Sequence, residues 1–94
     1  MKAIFKYDLA ISGYQSVQIY KNAQILCVQL QKGFPKIWAM VDTEEALERR
    51  HCEVFETGQE MPEISLSDER VYIGTCQLSG GLYVFHVFEI KSKS

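Results

Sequence analysis

His51 and Cys52 most resemble a catalytic pair in this sequence, because a histidine can activate a neighbouring thiol as a nucleophile. They are adjacent in a segment with the two-residue alternation of a β-strand. Their side chains therefore point to opposite faces of a sheet and cannot share the activating hydrogen bond. Cys52 could meet His86 only through the tertiary fold. The sequence predicts that the protein is not an enzyme.

Metal and cofactor sites have little support. Two histidines are too few for an imidazole metal site, which needs three or four ligands. The acidic group at 42–45 does not fit the register of a calcium-binding loop. The three cysteines follow no metal or disulfide spacing and are expected to be free and packed as small hydrophobes: Cys27, Cys52 and Cys76. No metal and no cofactor are predicted.

The glycine pair Gly80-Gly81 follows Ser79 between two apolar runs. A phosphate-binding loop would need further glycines and a helix after it, and neither pattern is present. A tight hairpin turn is the favoured interpretation. Gly80 and Gly81 stay candidates for a loop that touches a small ligand.

Aromatic and sulfur side chains on two predicted strands are the other binding candidates. Trp38 and Met40 lie on one strand, and Tyr83, Phe85 and His86 lie on another. Tryptophan and tyrosine are common anchors of binding sites, and they are equally common in small cores. For Trp38 the core is favoured, and the sequence leaves open whether His86 faces a core or a site.

Hydrophobic alternation with a period of two dominates the chain and predicts strands at 5–11, 17–20, 26–31, 36–41, 50–56, 71–78 and 82–90. Residues 42–48 break the pattern and predict a short helix or a wide turn. Residues 57–69 predict an acidic surface loop, pinned to the core by Ile64 and Leu66. The predicted fold is mainly β, a compact antiparallel sandwich or barrel of about seven strands with at most one short helix.

The length and composition of the chain fit one domain over residues 1–94, with an ordered core over about 3–90 and a frayed tail at 91–94. The formal net charge is −2 and the cations are scattered, so direct nucleic-acid binding is not expected. No run approaches the length of a membrane span and no signal peptide is visible, so no membrane association and a cytoplasmic location are predicted.

Two strands carry apolar residues on both faces, at 37–41 and 82–90. A small antiparallel sandwich buries only its inner faces, so the outer apolar residues need a cover. The acidic loop, the short helix or another copy of the chain could supply it. A homo-oligomer is the predicted state.

Several segments resemble a family of small uncharacterised proteins of tailed bacteriophages and prophages: I-F-K-Y-D-L, A-Q-I-L-C-V-Q-L-Q, I-W-A-M-V-D, E-T-G-Q-E-M-P, Y-I-G-T-C-Q-L and G-G-L-Y-V-F-H-V-F-E. Together they run from Ile4 to Glu89. The resemblance implies a phage gene product acting in the host cell cytoplasm, and it brings no assigned activity or functional residues.

Three functions follow as hypotheses. The first is a non-enzymatic binding protein that engages a host protein and counters host defence. The second is an oligomeric sponge that binds a nucleotide or another small ligand. The third is a structural or assembly component of the virion.

Overall fold

A computed structural model describes residues 1–94 and contains seven β-strands. They are β1 (Lys2–Asp8), β2 (Gly13–Tyr20), β3 (Gln24–Gln31), β4 (Phe34–Asp42), β5 (Leu47–Glu56), β6 (Asp68–Leu78) and β7 (Tyr83–Ser92). A single 3-10 turn, Ser79–Gly81, joins β6 to β7. The prediction of a mainly β fold with about seven antiparallel strands is confirmed.

The strands form two antiparallel sheets. The small sheet has the order β1-β4-β3, and the large sheet has the order β2-β5-β7-β6. Their inner faces pack together around a core of Leu9, Val28, Ile37, Cys52, Val54, Cys76, Phe85 and Val87. The sheets approach closely where β3 meets β6, since a Cβ added to Gly74 would lie 2.7 Å from Val28 Cγ1. Because the edge strands β3 and β6 lie against each other, β1 and β2 are the open edges of the two sheets.

The alternation along β4 and β7 follows the two-sheet architecture. Ile37, Ala39 and Val41 of β4 are at most 2% exposed and face the large sheet. Phe85 and Val87 of β7 are equally buried and face the small sheet. Residues between them on each strand therefore lie on the outer faces of the sandwich.

Residues 42–48 contain no helix, which settles the predicted choice in favour of a turn. The backbone N–H of Glu44 and the terminal amine of Met1 both donate to Asp42 Oδ1, at 3.0 and 3.1 Å. These bonds hold the pKa of Asp42 below its ordinary value. With its carboxylate engaged in this way, Asp42 closes a tight turn, and β5 begins at Leu47.

Of the two predicted anchors of the loop at 57–67, the prediction for Leu66 is wrong. Ile64 is half-buried, but Leu66 is 94% exposed. The loop is held by polar contacts instead, because Arg70 donates to the Pro62 carbonyl and the Lys93 N–H donates to the Ser67 carbonyl. This second bond follows β7, which extends to Ser92 and pairs with Asp68 of β6.

Candidate functional site

The outer face of the small sheet carries a cluster of apolar side chains that no other part of the chain covers. The register of β4 with its neighbours places Trp38 between Lys6 and Cys27, and Met40 between Ile4 and Gln24. A shift of register between Ile25 and Cys27 turns Leu26 outward on β3. We call this cluster the small-sheet face: Ile4, Leu26, Cys27, Trp38 and Met40.

The small-sheet face is accessible. Ile4 is 61% exposed, Leu26 44% and Met40 39%. A shallow depression of about 350 Å³ lies over Trp38, beside Ile4 and Leu26. Contiguous exposed apolar surface of this kind marks interaction sites on soluble proteins. The predicted candidates Trp38 and Met40 are therefore brought together here, although Trp38 was expected to favour the core.

Formal charge divides between the two halves of the chain. Residues 1–42, which include the whole small sheet, carry five lysines and two aspartates, a net charge of +3. Residues 43–94 carry five lysines and arginines against ten acids, a net charge of −5, which agrees with −2 for the chain. β2 has no charged residue, and the strands of the small sheet carry three lysines and two aspartates, a net charge of +1. The turns add Lys21 and Lys32, so the small sheet is the basic side of the molecule and the large sheet is the acidic side.

Two lysines on the small sheet are held by polar partners at its rim. Lys6 Nζ donates to Gln31 Oε1 at 2.6 Å, and Lys36 forms an ion pair with Asp8. The hydrogen bond from Lys36 holds the pKa of Asp8 below its ordinary value. The small-sheet face is thus an apolar centre bordered by lysines and by two aspartates, Asp8 and Asp42.

His86 lies on the opposite side of the molecule, on the outer face of the large sheet. Its Nε2 is 2.8 Å from Thr57 Oγ1 and its Nδ1 is 2.9 Å from Thr75 Oγ1, so both ring nitrogens have partners. Tyr72 extends this network, because its hydroxyl is hydrogen-bonded to Thr75 Oγ1. The Tyr72 ring packs edge-on against Phe88. These bonds link β7 to β6 and to the start of the loop at 57–67.

The other predicted binding residues on β7 do not join one surface. Phe85 is 1% exposed and belongs to the core, whereas Tyr83 is 51% exposed near the hairpin turn. Gly80 and Gly81 form that turn, and both have positive φ, at 67° and 95°. Gly81 borders a shallow depression of about 280 Å³ that also contains Glu56. A carboxylate at this position disfavours a phosphate ligand.

Cys52 is buried in the interior, and the side chains of His51 and His86 lie on the outer face of the same sheet. The register shows this, because Cys52 pairs with Glu89 whereas His86 pairs with Phe55. Burial raises the pKa of the Cys52 thiol to about 12. The structure therefore keeps this thiol protonated and brings neither histidine to it.

At pH 8 we expect a soluble thiol reagent to modify Cys27 on the folded protein and to leave Cys52 and Cys76 intact. Cys27 borders the depression on the small-sheet face, whereas the other two thiols are at most 5% exposed and burial raises both pKa values. Mass spectrometry over time measures the order of modification. A Cys27→Ser variant should lose the fast phase, and early modification of Cys52 would contradict the buried position.

Sequence reasoning missed two buried ion pairs, one on each face of the large sheet. Inside the sandwich, Arg50 Nε and Nη2 donate to the Glu89 carboxylate at 2.5 and 2.9 Å, and Nη1 donates to the Ala23 carbonyl at 2.6 Å. On the outer face, Arg70 Nε donates to Glu53 Oε1 at 2.7 Å. The two-residue alternation of β5 gave a signal for both pairs. Arg50 lies on the same face of the strand as Cys52, and Glu53 lies on the same face as the aromatic Phe55.

A cleft of about 400 Å³ opens between the sheets beside the inner pair. Its polar borders include Asn22, Gln24 and Lys91. The bonds from Arg50 to Glu89 hold the pKa of the guanidinium above its ordinary value. Glu89 and Ala23 together engage all three guanidinium nitrogens, and the Glu89 carboxylate neutralises the charge, so Arg50 is poorly suited to bind an anion in this cleft.

The fold and the surface define a small two-sheet β-sandwich that presents one apolar sheet face to solvent. The chain belongs to the DUF7352 family, a domain of unknown function whose model matches residues 1–94. No curated protein and no solved structure matches it. The predicted membership of an uncharacterised family is confirmed, and the phage origin stays a prediction.

No group of three or more His, Cys, Asp or Glu side chains is arranged to hold a metal ion. No helix of the structure has the length and apolar character needed to cross a bilayer.

Proposed function

We propose that this protein is a small phage protein that works in the host cytoplasm by binding a host protein, without catalysis, and that the binding counters host defence. The observation that carries the proposal is the small-sheet face. It is an exposed apolar surface built on three rigid strands, and such surfaces are the usual cores of protein interfaces.

The side chains of the small-sheet face suit a protein partner better than a small ligand. Trp38 supplies a large, half-buried aromatic ring, and Met40 and Leu26 supply flexible apolar contacts beside it. The depression over Trp38 is shallow and open. Tryptophan at the centre of such a patch is a frequent source of binding energy, whereas small ligands prefer deep concave pockets.

The charge of the small sheet indicates the chemistry of the partner. Three lysines (Lys2, Lys6 and Lys36) and two aspartates (Asp8 and Asp42) lie on the same outer face as the apolar cluster, which leaves a net charge of +1. A partner with an apolar patch bordered by aspartates and glutamates would match this face, and attraction between opposite charges would speed their encounter. Binding by this route should weaken as salt concentration rises.

We expect a Leu26→Lys variant to lose capture of the host partner while a Leu66→Lys variant keeps it. Both leucines are exposed, at 44% and 94%, so both variants should fold, but only Leu26 lies on the small-sheet face. Affinity purification from bacterial host lysate, followed by quantitative mass spectrometry, measures retention. A lysine inserted into an interface core should weaken binding roughly tenfold or more.

A protein retained by the wild type and by Leu66→Lys, but lost with Leu26→Lys and at high salt, would support the proposal. Repeated recovery of the bait alone would contradict it. Equal retention by both variants would also contradict it, because the partner would then bind elsewhere.

A further inference from the structure

β1 is a free edge of the small sheet. β1 is hydrogen-bonded to β4 on one side and to no strand on the other. Thr43 donates to the Met1 carbonyl at one end of this ladder, and Leu9 donates to the Pro35 carbonyl at the other. Hydrogen-bonded pairs alternate in an antiparallel ladder, so the backbone groups of Lys2, Ile4, Lys6 and Asp8 point away from β4.

An edge of this kind is a template for another strand. Its residues are already extended, because the Met1 amine is bound to Asp42 and β4 fixes the rest of the strand. The edge also exposes apolar side chains, with Ile4 61% and Phe5 37% accessible. Pairing along β1 would therefore satisfy backbone groups and bury apolar surface with little ordering cost.

We propose that two copies of the chain pair through β1 in antiparallel register about Phe5, so that the two small sheets become one six-stranded sheet. In this register Lys2 lies opposite Asp8 of the second copy, and Ile4 lies opposite Lys6 of the second copy. The arrangement is two-fold symmetric, as in most homodimers.

Charge selects this register over its neighbours. Only even-numbered residues have free backbone groups, so the pairing can shift only in steps that keep even residues opposite each other. A shift in one direction places Lys2 opposite Lys6 of the second copy. A shift in the other direction places Lys6 opposite itself. Both shifts juxtapose lysines, whereas pairing about Phe5 opposes lysine with aspartate.

Both members of that ion pair are available. Lys2 lies opposite Asp42 of β4 but forms no ion pair with it. Asp8 contacts Lys36 through Oδ1 alone and keeps 82% of its side chain exposed. On the inner side of the strand the two Phe5 rings would meet, beside Tyr20, which already lies 6.3 Å from Phe5 between ring centroids. The edge of β2 carries no charge and offers no such selection.

The size of the monomer's surface agrees with pairing. The chain exposes 6165 Å², whereas a compact monomer of 10.8 kDa exposes about 5,500 Å². The molecule is flat, measuring 41 × 35 × 15 Å between Cα extremes. Pairing through β1 would also join two small-sheet faces into one continuous surface. The inference does not depend on the proposed host partner, because it concerns the solution mass of the protein alone.

Solution mass by light scattering after size exclusion, at tens of micromolar chain, tests the inference. The wild type should have twice the 10.8 kDa mass of the chain. A Lys2→Glu variant opposes two acids, and an Asp8→Lys variant opposes two lysines, so each alone should dissociate roughly tenfold more readily. An equimolar mixture should recover the doubled mass, because each mixed pair opposes unlike charges. Lys93→Glu, in the exposed C-terminal tail, should leave the dimer intact.

A wild-type monomer would overturn the inference, and so would single variants that dimerise as well as the wild type. Failure of the mixture to recover the doubled mass would also overturn it, because two misfolded or non-specifically weakened chains would not rescue each other. None of these results bears on host-protein capture, which is read from the Leu26→Lys and Leu66→Lys pair.

Discussion

Replacing Arg50 by methionine is expected to lower the free energy of unfolding by about 3–5 kcal/mol, measured by urea denaturation. Methionine keeps much of the volume and removes the charge. Glu89, whose side chain is only 6% exposed, would then be a carboxylate between two sheets without its partner. The Ala23 carbonyl would lose its bond from Arg50 as well. A loss of this size is a large part of the about 5–15 kcal/mol that stabilises a typical domain.

Arg49 supplies the matched control. It is the neighbouring residue on β5, but it lies on the opposite face, is exposed, and has one side-chain bond, to Ser16 at 3.1 Å. Arg49→Met should change stability by no more than about 0.5 kcal/mol. The double variant Arg50→Met/Glu89→Leu should be more stable than Arg50→Met, because no buried charge remains at this position between the sheets. Equal stability of Arg50→Met and Arg49→Met would refute a structural role for the pair.

Much of the fold could be predicted because the inner faces obey a strict alternation. On β4 the sequence Ile37-Trp38-Ala39-Met40-Val41 assigns the odd residues to one face, and the structure buries all three. Turn residues were equally informative, since Lys32 and Gly33 both take the positive φ, 54° and 82°, that a two-residue hairpin needs. Local patterns therefore identified the strands and most of their limits.

Strand order could not be predicted, and the ion pairs depend on it. β5 pairs with β7, and β6 lies outside β7. Only this order places Arg50 against Glu89, which are 39 positions apart in the sequence. The alternation along each strand showed that each charged residue shares a face with apolar residues. It did not show which opposite charge that residue contacts.

The same limit applies to the candidate site. Trp38 and Met40 were identified as binding candidates, whereas Ile4 and Leu26 were not, because their contribution requires β1 and β3 to flank β4. The irregular register at Leu26 also breaks the alternation from which faces are inferred. The small-sheet face is thus a property of the sheet and is not visible in any one strand.

Replacing Arg70 by methionine is expected to destabilise the protein by about 3–5 kcal/mol and to release the loop at 57–67. Arg70 is the only side chain that joins this loop to the large sheet by both charge and hydrogen bonding. It donates to Glu53, which is 4% exposed, and to the Pro62 carbonyl, and its guanidinium carbon lies 5.5 Å from the centre of the Phe55 ring. Methionine would keep only the contact with Phe55.

The rate of cleavage by a glutamate-specific protease measures opening of the loop directly, because Glu60 and Glu63 are exposed within it. Cleavage there should be faster in Arg70→Met than in the wild type, as the open population of the loop grows. Arg70→Lys separates the loss of stability from the release of the loop. Lysine restores a charge for Glu53 but lacks the planar fork that reaches Glu53 and Pro62 together, so it should recover much of the stability while leaving the loop cleavable. If Arg70→Met is cut no faster than the wild type, the loop is held by its other contacts and does not depend on Arg70.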